Sequence, residues 1–97
     1  MSQRLAEDQL QSLELLQHLI PYFKRVLARV NAARSARSNV IDAITQSALH
    51  SKEGAILLMP IIRWLANIHV KSDQKKAITL MIDIKDKYPS VPNPIQS

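Results

Sequence analysis

The chain has no cysteine and only one glycine, Gly54, among 97 residues. The first absence excludes disulfides, thiolate nucleophiles and cysteine-based zinc or iron–sulfur centres. The second argues against a fold rich in tight hairpins, which draw on Asn-Gly and Asp-Gly turns. Aromatic residues are scarce, with one Trp, two Tyr and one Phe. No glycine-rich phosphate loop or nucleophile signature appears. The longest apolar run, "AILLMPII", stops at Arg63, well short of the roughly 20 residues that span a bilayer. The opening "MSQRLAEDQLQ" is too polar for a secretory signal. These features point to a soluble protein of the cytosol.

One further absence is local. Between Pro21 and Arg37 there is no acidic residue, while Lys24, Arg25, Arg29, Arg34 and Arg37 contribute +5, equal to the formal net charge of the whole chain. Residues 1–20 sum to −2 and residues 38–97 to +2. A compact basic block raises the question of a phosphate-bearing partner.

What is present is helical. Leu, Ala, Ile, Gln, Lys and Arg dominate, most of them good helix formers, and an apolar share of 46% suits one small globular core. Leu13, Leu16, Ile20, Phe23, Leu27 and Val30 recur at spacings of three and four, with Leu19, Tyr22 and Val26 widening the stripe. The phase survives Pro21, which favours a kinked helix over two separate ones. Ser38 or Asn39 reads as the cap of the next helix, with Asp42 completing a capping box. Val40, Ile41, Ile44, Ala48 and Leu49 form its buried side. Ser51 caps another start, with Glu53 in its first turn. Leu57, Ile61, Leu65 and Ile68 follow, with Ile56, Leu58 and Trp64 beside them, and Pro60 predicts a second kink. Trp64 is expected at the centre of the core. Ser72, with Asp73 and Gln74, opens a last helix in which Ile78, Met81, Ile82 and Lys85 share one side and Leu80, Ile84 and Tyr88 a neighbouring row.

Tyr88–Pro89 ends that helix. "PSVPNPIQS" then reads as an extended or disordered tail, in which Val91 and Ile95 are available to dock on a groove. The expected architecture is all-α: an antiparallel bundle of four helices, or five, over residues 1–88, followed by a flexible proline-rich tail over 89–97.

Little in the sequence carries chemistry. His18, His50 and His69 are far apart, and no metal or cofactor site is expected. Asp83 and Asp86 interleave with Lys85 and Lys87 as a solvated, salt-bridged face rather than a carboxylate pair. No catalytic residues are identified, and the chain is read as a binding protein. Lys24, Arg25 and Arg29 avoid the apolar stripe and lie toward a helix C-terminus, where cations suit the backbone dipole. They form a basic, solvated face. Arg34 and Arg37, in "NAARSARSN", read as the end of a helix and a connection, so they are the more available pair. A small basic nucleic-acid-binding or regulatory protein of phage or plasmid type is the alternative. Against it, no recognition helix follows the block and aromatics for base stacking are lacking.

The segment "PIIRWLANIHVKSDQKKAITLMIDIKDKY", residues 60–88, together with the chain's size, basicity and lack of cysteine, resembles the immunity proteins of class II bacteriocins. It has the helix, short capped connection, Gln-Lys-containing start and final helix of that family, over about a third of the chain. The glycines and aromatics that many members carry after the last helix are missing here. The resemblance implies a cytosolic antiparallel four-helix bundle that protects a producing cell from its own pore-forming peptide. The protein partner implied is the complex of bacteriocin and receptor permease at the inner face of the membrane. Recognition would lie in the C-terminal half and tail, here including Lys85, Lys87, Tyr88, Val91 and Ile95. The basic block would help by contact with an anionic leaflet. On this reading the double substitution Arg34→Ala/Arg37→Ala is expected to leave the fold intact.

Overall fold

A computed structural model describes residues 13–29, 33–68 and 70–95. The described residues form four helices: α1 (Leu13–Ala28), α2 (Arg34–His50), α3 (Lys52–Leu65) and α4 (Lys71–Lys87). No strand occurs among the described residues. Periodicity pointed to an all-α bundle of four helices, or five, and the described residues form an all-α bundle of four. Val30 of the first stripe and His69 lie outside the described residues, as do residues 1–12.

Helix α1 passes through Pro21 unbroken and buries Leu16, Phe23 and Leu27. Proline at an exposed position forfeits one backbone bond on the solvent side, where water can take the freed carbonyl. Tyr22 is 53% exposed, so it does not widen the stripe as expected. Pro60 is likewise exposed inside a continuous α3.

Helix α3 contacts all three other helices, and only α1 and α4 barely meet. It buries a broad face made of Ala55, Leu58, Met59, Ile61, Ile62 and Leu65. The narrower stripe expected there is displaced. Leu57 and Trp64 are half-buried and Ile56 is exposed. Trp64 thus sits at the rim rather than the centre of the core. Lys24 Nζ lies 5.7 Å from its ring centroid, an amphipathic indole shared between apolar contact and a cation.

One residue, Ser51, joins α2 to α3 and is both the C-cap of one and the N-cap of the other. Its hydroxyl accepts the Gly54 N–H at 3.0 Å, as its position predicted. So sharp a reversal brings the two backbones together at Gly54. A Cβ built there would stand 2.5 Å from the Ser47 carbonyl oxygen.

The helix starts differ from expectation. Helix α2 begins at Arg34, with Ala33 at the cap position, so Ser38 and Asn39 lie within the helix rather than before it. Helix α4 begins at Lys71 after Val70, one residue ahead of Ser72. Its buried side is Asp73, Ala77, Leu80, Met81 and Ile84, whereas Ile78 and Ile82 are 41% and 44% exposed.

The tail departs from the extended or disordered segment expected, while Val91 and Ile95 dock as their apolar side chains allowed. Residues 89–95 fold back onto α4 instead of trailing from it. Val91 is 4% exposed and Ile95 packs against the core. The Val91 N–H donates to Tyr88 O at 3.0 Å, Asn93 Nδ2 to Met81 O at 2.8 Å, and Lys85 Nζ to Ile95 O at 3.0 Å. Three prolines restrict the chain's freedom before docking, which reduces the entropy lost in ordering it.

Gly54→Ala provides a test of the α2–α3 packing. Alanine gains about 1 kcal/mol in helix propensity, but the clash is with a backbone carbonyl, which cannot swing aside, and overpacking costs about 1–3 kcal/mol. The expected outcome in urea denaturation is a net loss of about 1 kcal/mol and at most about 2 kcal/mol. An unchanged or raised midpoint would show that the helices separate freely there.

Candidate functional site

The five cations that stand out in the sequence separate in the structure. Lys24, Arg25 and Arg29 are exposed, as the apolar stripe of α1 predicted. Arg34 is exposed at the start of α2. Arg37 is not available: it is 8% exposed and lies in the interior.

The reason is a set of hydrogen bonds joining three helices. Arg37 Nε donates to Asp73 Oδ2 at 3.0 Å, and Nη2 closes an ion pair with the same oxygen. Nη1 donates to Leu27 O and Arg29 O, each at 2.9 Å. Leu27 and Arg29 carry carbonyls at the end of α1, which lack intrahelical partners and bear the negative end of the helix dipole. Asp73 lies in the first turn of α4, where the dipole favours an anion. A buried guanidinium and a buried carboxylate each carry a desolvation cost of several kcal/mol. Here each charge is set against a helix end of opposite sign as well as against its partner. It is the only ion pair among the described residues.

Beside this pair, between the starts of α2 and α4, is a cleft of about 510 Å³ lined by Arg34, Arg37, Ser38, Val70, Ser72, Asp73 and Lys76. Helical spacing accounts for the set. Arg34, Arg37 and Ser38 share one face of α2, and Ser72, Asp73 and Lys76 one face of α4.

The C-terminal candidates gather at the other end of the same two helices. Tyr88 Oη donates to Leu49 O at 3.1 Å, and Lys87 Nζ donates to the same carbonyl at 2.5 Å. Lys87 Nζ also stands 5.6 Å from the Tyr88 ring centroid. Helices α2 and α4 therefore run parallel, tied at their starts by Arg37–Asp73 and at their ends through Leu49. Lys85 holds the tail by Ile95 O, and Val91 is in the core. Of the residues expected to meet a partner, Lys85, Lys87, Tyr88, Val91 and Ile95 are engaged in holding the fold and the tail together. Ile78 and Ile82, expected in the core, are instead exposed one turn apart on α4. A separate groove of about 390 Å³ between α1 and α3 has an apolar floor of Leu13, Ile56 and Leu57 with Glu14 and Glu53 at its edge.

Asp73 and Lys76 escaped the reading from sequence. Asp73 had the position of a capping residue, and nothing local marks it as the partner of an arginine 36 positions earlier. Among the described residues no group of three His, Asp or Glu side chains comes together as a metal ion would require. None of their helices is long and apolar enough to cross a membrane. Comparison with models of protein families, with curated proteins and with solved structures gives no match to this chain.

The buried pair reverses the expectation for the two arginines. Arg37→Ala strands Asp73 and two carbonyls and is expected to cost about 3–5 kcal/mol in urea denaturation, while Arg34→Ala stays within about 0.5 kcal/mol. In a double-mutant cycle, Arg37→Ala/Asp73→Ala should cost less than the sum of its parts, because removing both charges leaves neither stranded. Additivity in that cycle would mean that the two side chains do not interact.

Proposed function

We propose that the protein acts by binding another protein, without catalysis, through the outer face of α4 and the tail laid against it. The observation that carries this reading is the docked tail. With residues 89–95 held by Lys85, Val91 and Asn93, α4 and the tail present one ordered surface. Its apolar elements are Ile78 and Ile82, each more than two-fifths exposed. A preordered surface avoids the entropy cost of ordering a free tail on association, and exposed isoleucines flanked by Lys75 and Lys85, with Asp86 one turn beyond Ile82, suit a partner with an apolar ridge and charged margins.

The specific form of the proposal is immunity against a pore-forming class II bacteriocin, exerted from the cytosolic side at the complex of the peptide and its receptor. Two features support it. The resemblance over residues 60–88 includes the whole of α4, and the four-helix architecture agrees with the bundle that the resemblance implied. In that family recognition is placed in the C-terminal half, which here contains the α4–tail surface.

The test is protection of sensitive bacteria expressing the chain, challenged with a panel of class II bacteriocins. Selective survival against one peptide is the expected result, and its loss in Ile78→Glu/Ile82→Glu would assign recognition to α4. Both positions are exposed, so that variant should keep its helical circular dichroism and its denaturation midpoint. Truncation after Tyr88 is a poorer probe, since uncovering the Val91 site removes roughly 1.5–3 kcal/mol of apolar burial. Sensitivity to every peptide would set the immunity reading aside, and full protection by the double variant would move recognition away from α4.

A further inference from the structure

We propose that the cleft between the starts of α2 and α4 binds the phosphate group of a small phosphate ester. This inference is independent of the immunity reading. The cleft lies at the beginning of α4, and Ser72 is separated from Lys85, where the tail is held, by about 20 Å of helix at 1.5 Å per residue.

Charge is the first ground. Arg34, Arg37 and Lys76 line the cleft against a single acidic residue, Asp73, so the wall carries three positive charges and one negative, a net +2. Asp73 is already bonded to Arg37, which leaves the two exposed cations, Arg34 and Lys76, without an ion-pair partner among the described residues. Lys71 and Lys75, both exposed, add charge on the first turns of α4. Like charges gathered on facing helices repel one another, and an anion between them would relieve that repulsion.

Donor chemistry is the second ground. A forked guanidinium, an ammonium and the hydroxyls of Ser38 and Ser72 all border one space. That is more donors than the two oxygens of a carboxylate can use, and it suits the several oxygens of a phosphate. Helix geometry adds to this. Ala33 and Val70 occupy the two cap positions, neither with a side-chain cap bond, so the first-turn N–H groups of both helices are not closed by a cap.

Size is the third ground. A volume of about 510 Å³ falls within the range of small-molecule sites, roughly 300–1,000 Å³. It leaves room for an organic substituent beside one phosphate. Because it is a local recess between two helix ends and not an extended channel, a single ester fits it better than a nucleic-acid strand.

The experiment is an NMR titration of the ¹⁵N-labelled full chain with glycerol 3-phosphate. Expected are saturable amide shifts concentrated in residues 33–38 and 70–76. Arg34→Gln/Lys76→Gln should weaken binding at least tenfold, on the order of 1.4 kcal/mol. Lys24→Gln/Arg25→Gln, an equal loss of charge on another face, should leave it within about twofold, the scale of an unspecific change in charge. Cosedimentation with phosphatidylglycerol vesicles in a phosphatidylcholine background separates the two sources of phosphate. Vesicle binding that is lost in Arg34→Gln/Lys76→Gln assigns the cleft to a lipid headgroup, and saturation by glycerol 3-phosphate without vesicle binding assigns it to a soluble ester. The proposal is overturned by no saturable response to either probe, by equal weakening in both double variants, or by binding confined to duplex DNA with a steep salt dependence.

Discussion

The buried contact of Arg37 with Asp73 and the end of α1 is the constraint on which the remaining geometry depends. A guanidinium cannot be left in an apolar interior without partners, and it cannot shed its charge as a lysine can. Once Arg37 is inside, α1 must end beside it, α4 must begin beside it, and α2 must already be helical where it sits. This explains why α2 starts at Arg34 rather than at the better capping residues Ser38 and Asn39. The helix gives up a side-chain cap, worth about 1 kcal/mol, for an arrangement in which three helix ends meet around one cation.

The same contact sets the two starts of α2 and α4 side by side, and the Leu49 carbonyl ties their ends. With the parallel pair held at both ends, α2 and α3 each touch all three other helices and pack against one another. There the only glycine of the chain allows the close approach to Ser47. The two surfaces offered to partners follow from this division. At the start of the pair the cations that do not enter the interior surround a polar cleft. Toward its end the tail is bonded to α4 at Met81 and Lys85, and Ile78 and Ile82 remain exposed.

Much of this was legible from residues in a row. The stripe of Leu16, Phe23 and Leu27 on α1, the buried side of α2 from Val40 to Ala48, and the cap at Ser51 all depend on neighbours within one or two turns. Local spacing determines such features, and they agree with the structure. The candidate sites were less legible. Lys24, Arg25 and Arg29 could be placed in solvent because their own helix stripe excludes them. Lys85, Tyr88, Val91 and Ile95 were picked out as recognition residues, yet each is engaged within the fold through a bond or a burial that no spacing rule encodes.

By itself the sequence determined the class and the approximate position of each described helix, because helix propensity and apolar periodicity act over a few residues at a time. Tertiary structure alone decided which arginine is buried, which isoleucines on α4 face out, and that a tail rich in proline is held against the bundle. The burial of Arg37 and the pairing of α2 with α4 turn on contacts between residues 36 to 39 positions apart, such as Arg37 with Asp73 and Leu49 with Tyr88. The tail is held by side-chain bonds to backbone carbonyls 10 to 12 positions away. Asp73 reads alike whether it caps a helix or neutralises a buried arginine, and only the packing of α4 against α2 separates the two roles.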